Sequence, residues 1–124
     1  MMKKVLMILA VVLLAFSCEK DGDIELSKAD LVGKWNVTKI TLNGETTELT
    51  SGAIMVELKS DGKYYVDFLG DSYVGTYTVG GSTVTGVSGS VTEYFEFTSL
   101  SGNKAKIDYR NSEGDIYKFE AVKI

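Results

Sequence analysis

The side chains able to do chemistry in this chain are few, and their types already exclude much. There is no histidine and a single cysteine, Cys18. Serine–histidine and cysteine–histidine nucleophiles are excluded, as are most zinc sites. Carboxylates remain. A glycosidase needs two of them facing each other as acid and base, and the nearest pairs are Glu93 with Glu96 and Asp67 with Asp108. Glu93 and Glu96 lie three apart in a strand-like stretch and so project to opposite faces. Asp67 and Asp108 fall on outward faces. All four are expected on a solvated polar surface, and the chain is expected not to be an enzyme. Asn111-Ser112-Glu113-Gly114-Asp115 collects oxygen ligands but lacks the length and ligand count of an EF-hand loop, so a hairpin turn is predicted there. No metal and no cofactor are expected.

Recognition by aromatic surface is the other available chemistry. Trp35, Tyr64, Phe68, Tyr73, Tyr77, Phe95, Phe97, Tyr109, Tyr117 and Phe119 are spaced to share one interior. They either line a pocket or fill a core, where each ring stabilises by roughly 1.5–3 kcal/mol. Buried tyrosine hydroxyls need partners, which points to polar space or an open mouth. Outward Tyr65 and Tyr94 are candidates for a protein or glycan contact.

The elements that must position these residues are strands. From Lys34 onward, stretches rich in Val, Thr, Tyr, Phe and Ile alternate with period two. Strands are predicted at 34–42, 53–59, 63–69, 72–79, 82–87, 92–100, 104–110 and 115–123. Turns carrying Asn43-Gly44, Asp61-Gly62, Gly70-Asp71, Gly80-Gly81, Gly89, Gly102-Asn103 and Glu113-Gly114 tolerate the positive φ of tight hairpins. Trp35 and Val37 share a face while Ile40 and Leu42 fall on the other, so a bulge near Thr38-Lys39 is expected. A similar break is expected between Tyr117 and Phe119 on one side and Val122 and Ile124 on the other. Ser27 can cap a helical turn over 28–32 that Gly33 ends. Short strands without long helices exclude a parallel α/β design and favour a closed antiparallel meander.

Ahead of this domain, Val5 to Phe16 is an apolar run of twelve residues preceded by Lys3 and Lys4. A membrane-spanning helix needs about 20 apolar residues, so the run reads as a secretory signal. It ends in Leu14-Ala15-Phe16-Ser17-Cys18. That stretch resembles a bacterial lipobox, with small residues at Ser17 and Ala15 and a departure at bulky Phe16. The resemblance implies cleavage before Cys18 and acylation of its sulfur, which anchors the protein to the membrane. Removing Lys3 and Lys4 from 13 basic against 17 acidic residues takes the formal charge from −4 to −6. With Arg110 the only arginine, the body has no basic stripe, and nucleic-acid binding is excluded. Glu19-Lys20-Asp21-Gly22-Asp23 is a solvated tether. It also resembles the acidic surface-export signal of lipoproteins in gut-commensal Gram-negative bacteria, with the periplasmic face of the outer membrane as the alternative location.

Within 31–124 a second resemblance emerges. Leu31-Val32-Gly33-Lys34-Trp35 resembles the Gly-x-Trp start of the lipocalin first strand. Leu58-Lys59-Ser60-Asp61-Gly62-Lys63-Tyr64-Tyr65 resembles a hairpin of lipocalin-like lipoproteins. Gly75-Thr76-Tyr77-Thr78-Val79, the turn at Leu100-Ser101-Gly102-Asn103-Lys104 and the Tyr117-Lys118-Phe119 ending follow in the same order. The resemblance implies an all-β fold, a small eight-stranded antiparallel up-and-down barrel or half-barrel. It also implies a pocket for an apolar ligand in larger members. Those members stack an arginine on the first-strand tryptophan; here the nearest candidates are Lys118 and Lys123. The expected organisation is a signal peptide over 1–17, lipidated Cys18 and tether over 18–30, and the barrel over 31–124. The expected function is an outer-membrane lipoprotein binding a small apolar or amphipathic molecule. The alternative is an interaction or accessory module with a protein partner, a filled core and no cavity.

Overall fold

A computed structural model describes residues 24–124. The expected signal peptide, Cys18 and the acidic tract lie outside the described residues. The chain opens with a single helical turn, α1 (Lys28–Leu31). Ser27 caps it: its hydroxyl accepts from the Asp30 amide at 3.3 Å and donates to the Asp30 carboxylate at 2.8 Å. That satisfies an amide donor the short helix leaves free. Nine strands follow: β1 (Gly33–Leu42), β2 (Glu45–Glu48), β3 (Ile54–Leu58), β4 (Lys63–Phe68), β5 (Asp71–Gly80), β6 (Thr83–Ser88), β7 (Val91–Ser101), β8 (Lys104–Asn111) and β9 (Ile116–Lys123).

Strand β1 pairs with β3 along its first half, and β3 through β9 each pair antiparallel with the next. Strand β9 then pairs back onto β1, closing an eight-stranded up-and-down barrel. Closure removes the free edges that an open sheet this size would expose. The ninth strand, β2, is extra. It folds back on the second half of β1 through Asn43-Gly44, both at positive φ. Its Glu-Thr-Thr-Glu sequence is exposed throughout, so neither face is buried and no alternation marks it.

Two bulges keep the apolar faces inward. Val37 pairs with Ala121 and Lys39 with Glu120, leaving Thr38 as the extra residue. Its hydroxyl donates to the Glu120 carbonyl at 3.1 Å. The expected bulge is thus present, and Ile40 packs against the core. On β7, Phe97 pairs with Ile107 and Ser99 with Lys106, so Thr98 bulges and donates to the Lys106 carbonyl at 3.3 Å. The break expected in the last strand does not exist. Strand β9 pairs with β8 without interruption from Ile116 to Val122, and Ala121 continues the inward face. Ile124 is simply exposed.

The barrel has one closed and one open end. At the closed end the Leu26 amide donates to the Gly81 carbonyl at 2.8 Å, and α1 drives the fully buried Leu31 under the strands. Trp35 lies above it, with Nε1 donating to the Leu31 carbonyl at 2.9 Å and Phe97 edge-on at 5.9 Å. The Lys123 ammonium sits 5.6 Å from the Trp35 ring centre and donates to the Asp30 carbonyl at 2.8 Å. Gly33, at φ +139°, makes this possible, because a Cβ there would lie 2.9 Å from the Lys123 stem. Of the two lysines expected as candidates to stack on Trp35, Lys123 is the one that lies over its ring. Lys118 instead forms an exposed ion pair with Asp108 at 3.2 Å. Such a pair contributes little to stability.

A candidate ligand cup at the open end

The interior is divided by height. Around Trp35, Val37, Leu58, Phe95, Phe97 and Phe119 the space left between side chains is only ≈ 20 Å³, so this half is packed solid. Above it opens a cavity of ≈ 450 Å³. That is within the range of small-molecule sites.

A polar cluster separates the two halves. Glu93 shares the inward face of β7 with Phe95 and Phe97 and is 2% exposed. This corrects the expectation that Glu93 belongs to a solvated face: residue type argued for water, while its spacing of two from Phe95 put it inside. A buried carboxylate is costly unless it is hydrogen-bonded, and three phenols meet that need. The Tyr64 hydroxyl donates to Oε1 at 2.7 Å, and the Tyr73 and Tyr109 hydroxyls each donate to Oε2 at 2.5 Å. Burial, the bond to Glu93 and the charge of Glu93, in that order, push the Tyr64 and Tyr73 phenols far above their ordinary range. Burial and the Glu93 bond do the same for Tyr109, against a smaller opposing effect of Asn111.

Two glycines let Tyr64 reach that carboxylate. In the register, Tyr64 faces Gly75 of β5, and Gly86 of β6 faces Glu93 of β7. The Tyr64 ring lies across both. A Cβ at Gly86 would sit 2.6 Å from its Cζ, and one at Gly75 would sit 2.8 Å from its Cε1. Sequence reasoning named Gly75 only within a family resemblance and missed the role of both glycines, although a glycine inside a strand signals a close approach.

The wall of the cup is aromatic. The Tyr117 ring lies 6.0 Å from Phe68 and 5.7 Å from Tyr109, stacked on the latter. Tyr73 and Val91 complete the inner surface, and Asp71, Ser88, Glu113 and Asp115 stand around the rim. The Asn111–Asp115 turn is built by the Asn111 side chain. Its oxygen accepts from the Glu113 and Asp115 amides at 2.9 and 3.0 Å; its nitrogen donates to the Tyr109 hydroxyl and the Asp115 carboxylate, both at 3.1 Å. This is the expected hairpin turn, and it ties the rim to the tyrosine cluster. Among the described residues, no group of three His, Cys, Asp or Glu is placed to hold a metal ion.

The ten aromatic residues singled out in the sequence therefore separate. Phe68, Tyr73, Tyr109 and Tyr117 line the cup. Trp35, Phe95, Phe97 and Phe119 line the packed half. Tyr64 lies beneath Glu93, and Tyr77 donates to the Lys59 carbonyl at 2.6 Å near the closed end. The Tyr77 phenol is raised by burial first and by Asp61 second. Of the other weighed carboxylates, Asp67 accepts from the Ser72 hydroxyl at 2.5 Å on the outside, and Glu96 is exposed. Outward Tyr94 is covered by Arg110, 4.0 Å from its ring centre, while Tyr65 is 37% exposed.

No protein-family model and no curated protein matches this chain. Solved structures do. A lipocalin-like protein from Bacteroides uniformis superposes with a TM-score of 0.58 at 18% identity, over 77% of this chain and 99% of that one. An uncharacterized protein from Bacteroides eggerthii superposes with a TM-score of 0.60 at 14% identity, over 77% of this chain and 100% of that one. The fold is a lipocalin-like barrel, and its open cup is compatible with ligand binding.

Proposed function

We propose that this chain is an exported lipoprotein that binds a small amphipathic molecule in the open half of its barrel. The observation that carries this reading is the cup itself: ≈ 450 Å³ of space, walled by the Phe68, Tyr109 and Tyr117 rings, in a barrel whose other half is filled. Anchoring is proposed through acylated Cys18 at the outer membrane, with the barrel on the cell surface. The support is the apolar run ending in Ser17-Cys18 and the acidic tract after it. The tyrosine cluster is assigned the role of holding buried Glu93, and no enzymatic step is proposed.

Native mass spectrometry of the protein extracted from its own membranes tests the reading. Wild type is expected to carry a small molecule in a one-to-one ratio, and Val91→Trp, which fills the cup, is expected to lose it. A wild-type mass equal to the bare lipidated chain overturns the cup as a binding site. Labelling with an alkyne fatty acid tests the anchor separately: wild type takes the label and Cys18→Ser does not. An unlabelled wild type overturns the lipoprotein reading without touching the cup.

A second reading, a protein-interaction module, has one observation in its favour. On the outer face Tyr65 pairs with Val74, which is 63% exposed, and Val87 is exposed nearby on β6. Crosslinking in intact cells with a photoreactive residue at Val74 would reveal a partner on that face.

A further inference from the structure

We infer that the cup selects cations, its ligand class being a small organic amine, protonated or quaternary, carried on an apolar body. This rests on the cup being a ligand site and specifies what it holds. The first support is the state of its hydrogen-bond donors. The Tyr73 and Tyr109 hydroxyls point their protons at Glu93. The Asn111 amide uses one donor on the Tyr109 oxygen and the other on Asp115. The Ser88 hydroxyl donates to the Val74 carbonyl at 2.7 Å. Lone pairs are what these groups have left for a ligand, and the Tyr117 hydroxyl is the remaining side-chain donor of the lining, so the cup offers more acceptors than donors.

The second support is charge. The lining includes Asp71, Glu93, Glu113 and Asp115 and no lysine or arginine. A ligand carboxylate or phosphate would meet four acidic groups with no counter-charge, and of the lining side chains the Tyr117 hydroxyl alone is left to donate to it. A cation meets the opposite, and the cavity walls exclude part of the water that would otherwise screen the attraction. The third support is the wall. The Tyr117 ring, stacked on Tyr109 and tilted against Phe68, and its two neighbours offer aromatic faces, which attract cations in addition to apolar groups. Acceptors, negative charge and ring faces all favour the same ligand, and none favours an anion.

Three probes of matched size separate the possibilities: 2-phenylethylammonium, 2-phenylethanol and 3-phenylpropanoate, titrated calorimetrically into the folded barrel at low salt. The ammonium is expected to bind about tenfold tighter than the alcohol or better, and the carboxylate not measurably. Raising the salt should weaken the ammonium and leave the alcohol unchanged. The double variant Asp71→Asn/Glu113→Gln, whose side chains are exposed on the rim, should weaken the ammonium several-fold and spare the alcohol. Circular dichroism checks that the variant is folded. Alcohol or carboxylate binding as tightly as the ammonium overturns cation selection and leaves the cup as a ligand site. No binding of any probe to wild type overturns both.

Discussion

One added methyl group at Gly86 tests the architecture of the cup floor. In an ordinary strand, replacing glycine by alanine stabilises by about 0.5–1 kcal/mol, because the unfolded chain loses freedom. Gly86 should reverse the sign. Its Cβ would lie 2.6 Å from Cζ, 2.7 Å from Oη and 2.9 Å from Cε1 of Tyr64. Carbon–carbon contact is comfortable only beyond about 3.5 Å, so the ring must shift by roughly 1 Å. Tyr64 is 1% exposed and also lies on Gly75, so no free space receives it. The shift stretches its 2.7 Å bond to Glu93 beyond hydrogen-bond range. Overpacking costs about 1–3 kcal/mol, and losing a hydrogen bond to a charged group costs about 1.5–3 kcal/mol more. Set against the strand gain, Gly86→Ala should destabilise the barrel by about 2–5 kcal/mol, a large share of a small domain's stability. Urea unfolding of residues 24–124 reads this directly as a lower midpoint at unchanged slope. In a Tyr64→Leu background the ring is gone, and Gly86→Ala should be neutral or stabilising. Equal stability of Gly86→Ala and wild type, or a cost that persists without the Tyr64 ring, would refute the close approach.

Three further outcomes are expected. Trp35 is buried between Leu31 and Phe97, so its emission should be blue-shifted and shielded from quenchers, and Trp35→Ala should destabilise by about 3–5 kcal/mol in urea unfolding. Tyr64, Tyr73 and Tyr109 have folded-state pKa values raised above the ordinary phenol value near 10, so the unfolded chain releases their protons first. Their contribution is complete below about pH 10 and falls above it, by up to about 1.4 kcal/mol per pH unit per tyrosine; their phenolate absorbance should appear only as the barrel unfolds. Lys123→Arg should keep the stacking on Trp35 and the wild-type unfolding midpoint, whereas Lys123→Ala should lower stability by about 1 kcal/mol.

Alternation and turn chemistry carried most of the fold in the sequence. Tyr64, Val66 and Phe68 opposite Lys63, Tyr65 and Asp67 made one face apolar, and the glycine-bearing turns fixed where each strand ends. The Thr38 bulge was legible because Val37 and Ile40 are both apolar yet three apart. Strand β2 was not, because a strand with both faces in water carries no period. The apparent break at the end of β9 misled for the opposite reason: apolar Val122 and Ile124 lie outside the interior, and small Ala121 takes the inward place. Glu93 was hidden by its own charge, since nothing local announces three tyrosine donors arriving from β4, β5 and β8. The division into packed half and cup was beyond the sequence as well. Period two tells inside from outside but not height along the barrel axis, and height is what separates Phe95 from Tyr117.

The bond between Leu26 and Gly81 has a consequence for how the barrel stands. The chain enters at the closed end, so whatever holds the protein from upstream holds it by its base, like a bucket fixed to the floor. Only five residues separate Cys18 from Ile24. With lipid on Cys18, the end bearing α1 would rest near the headgroups, and the mouth at Asp71, Glu113 and Asp115 would face the water about one strand length further out. A ligand would then arrive from the aqueous side and leave the same way, without touching the bilayer and without releasing the anchor. A fluorophore at Glu113 should accordingly stay accessible to a water-borne quencher and beyond reach of a lipid-bound one, with the reverse at Lys28.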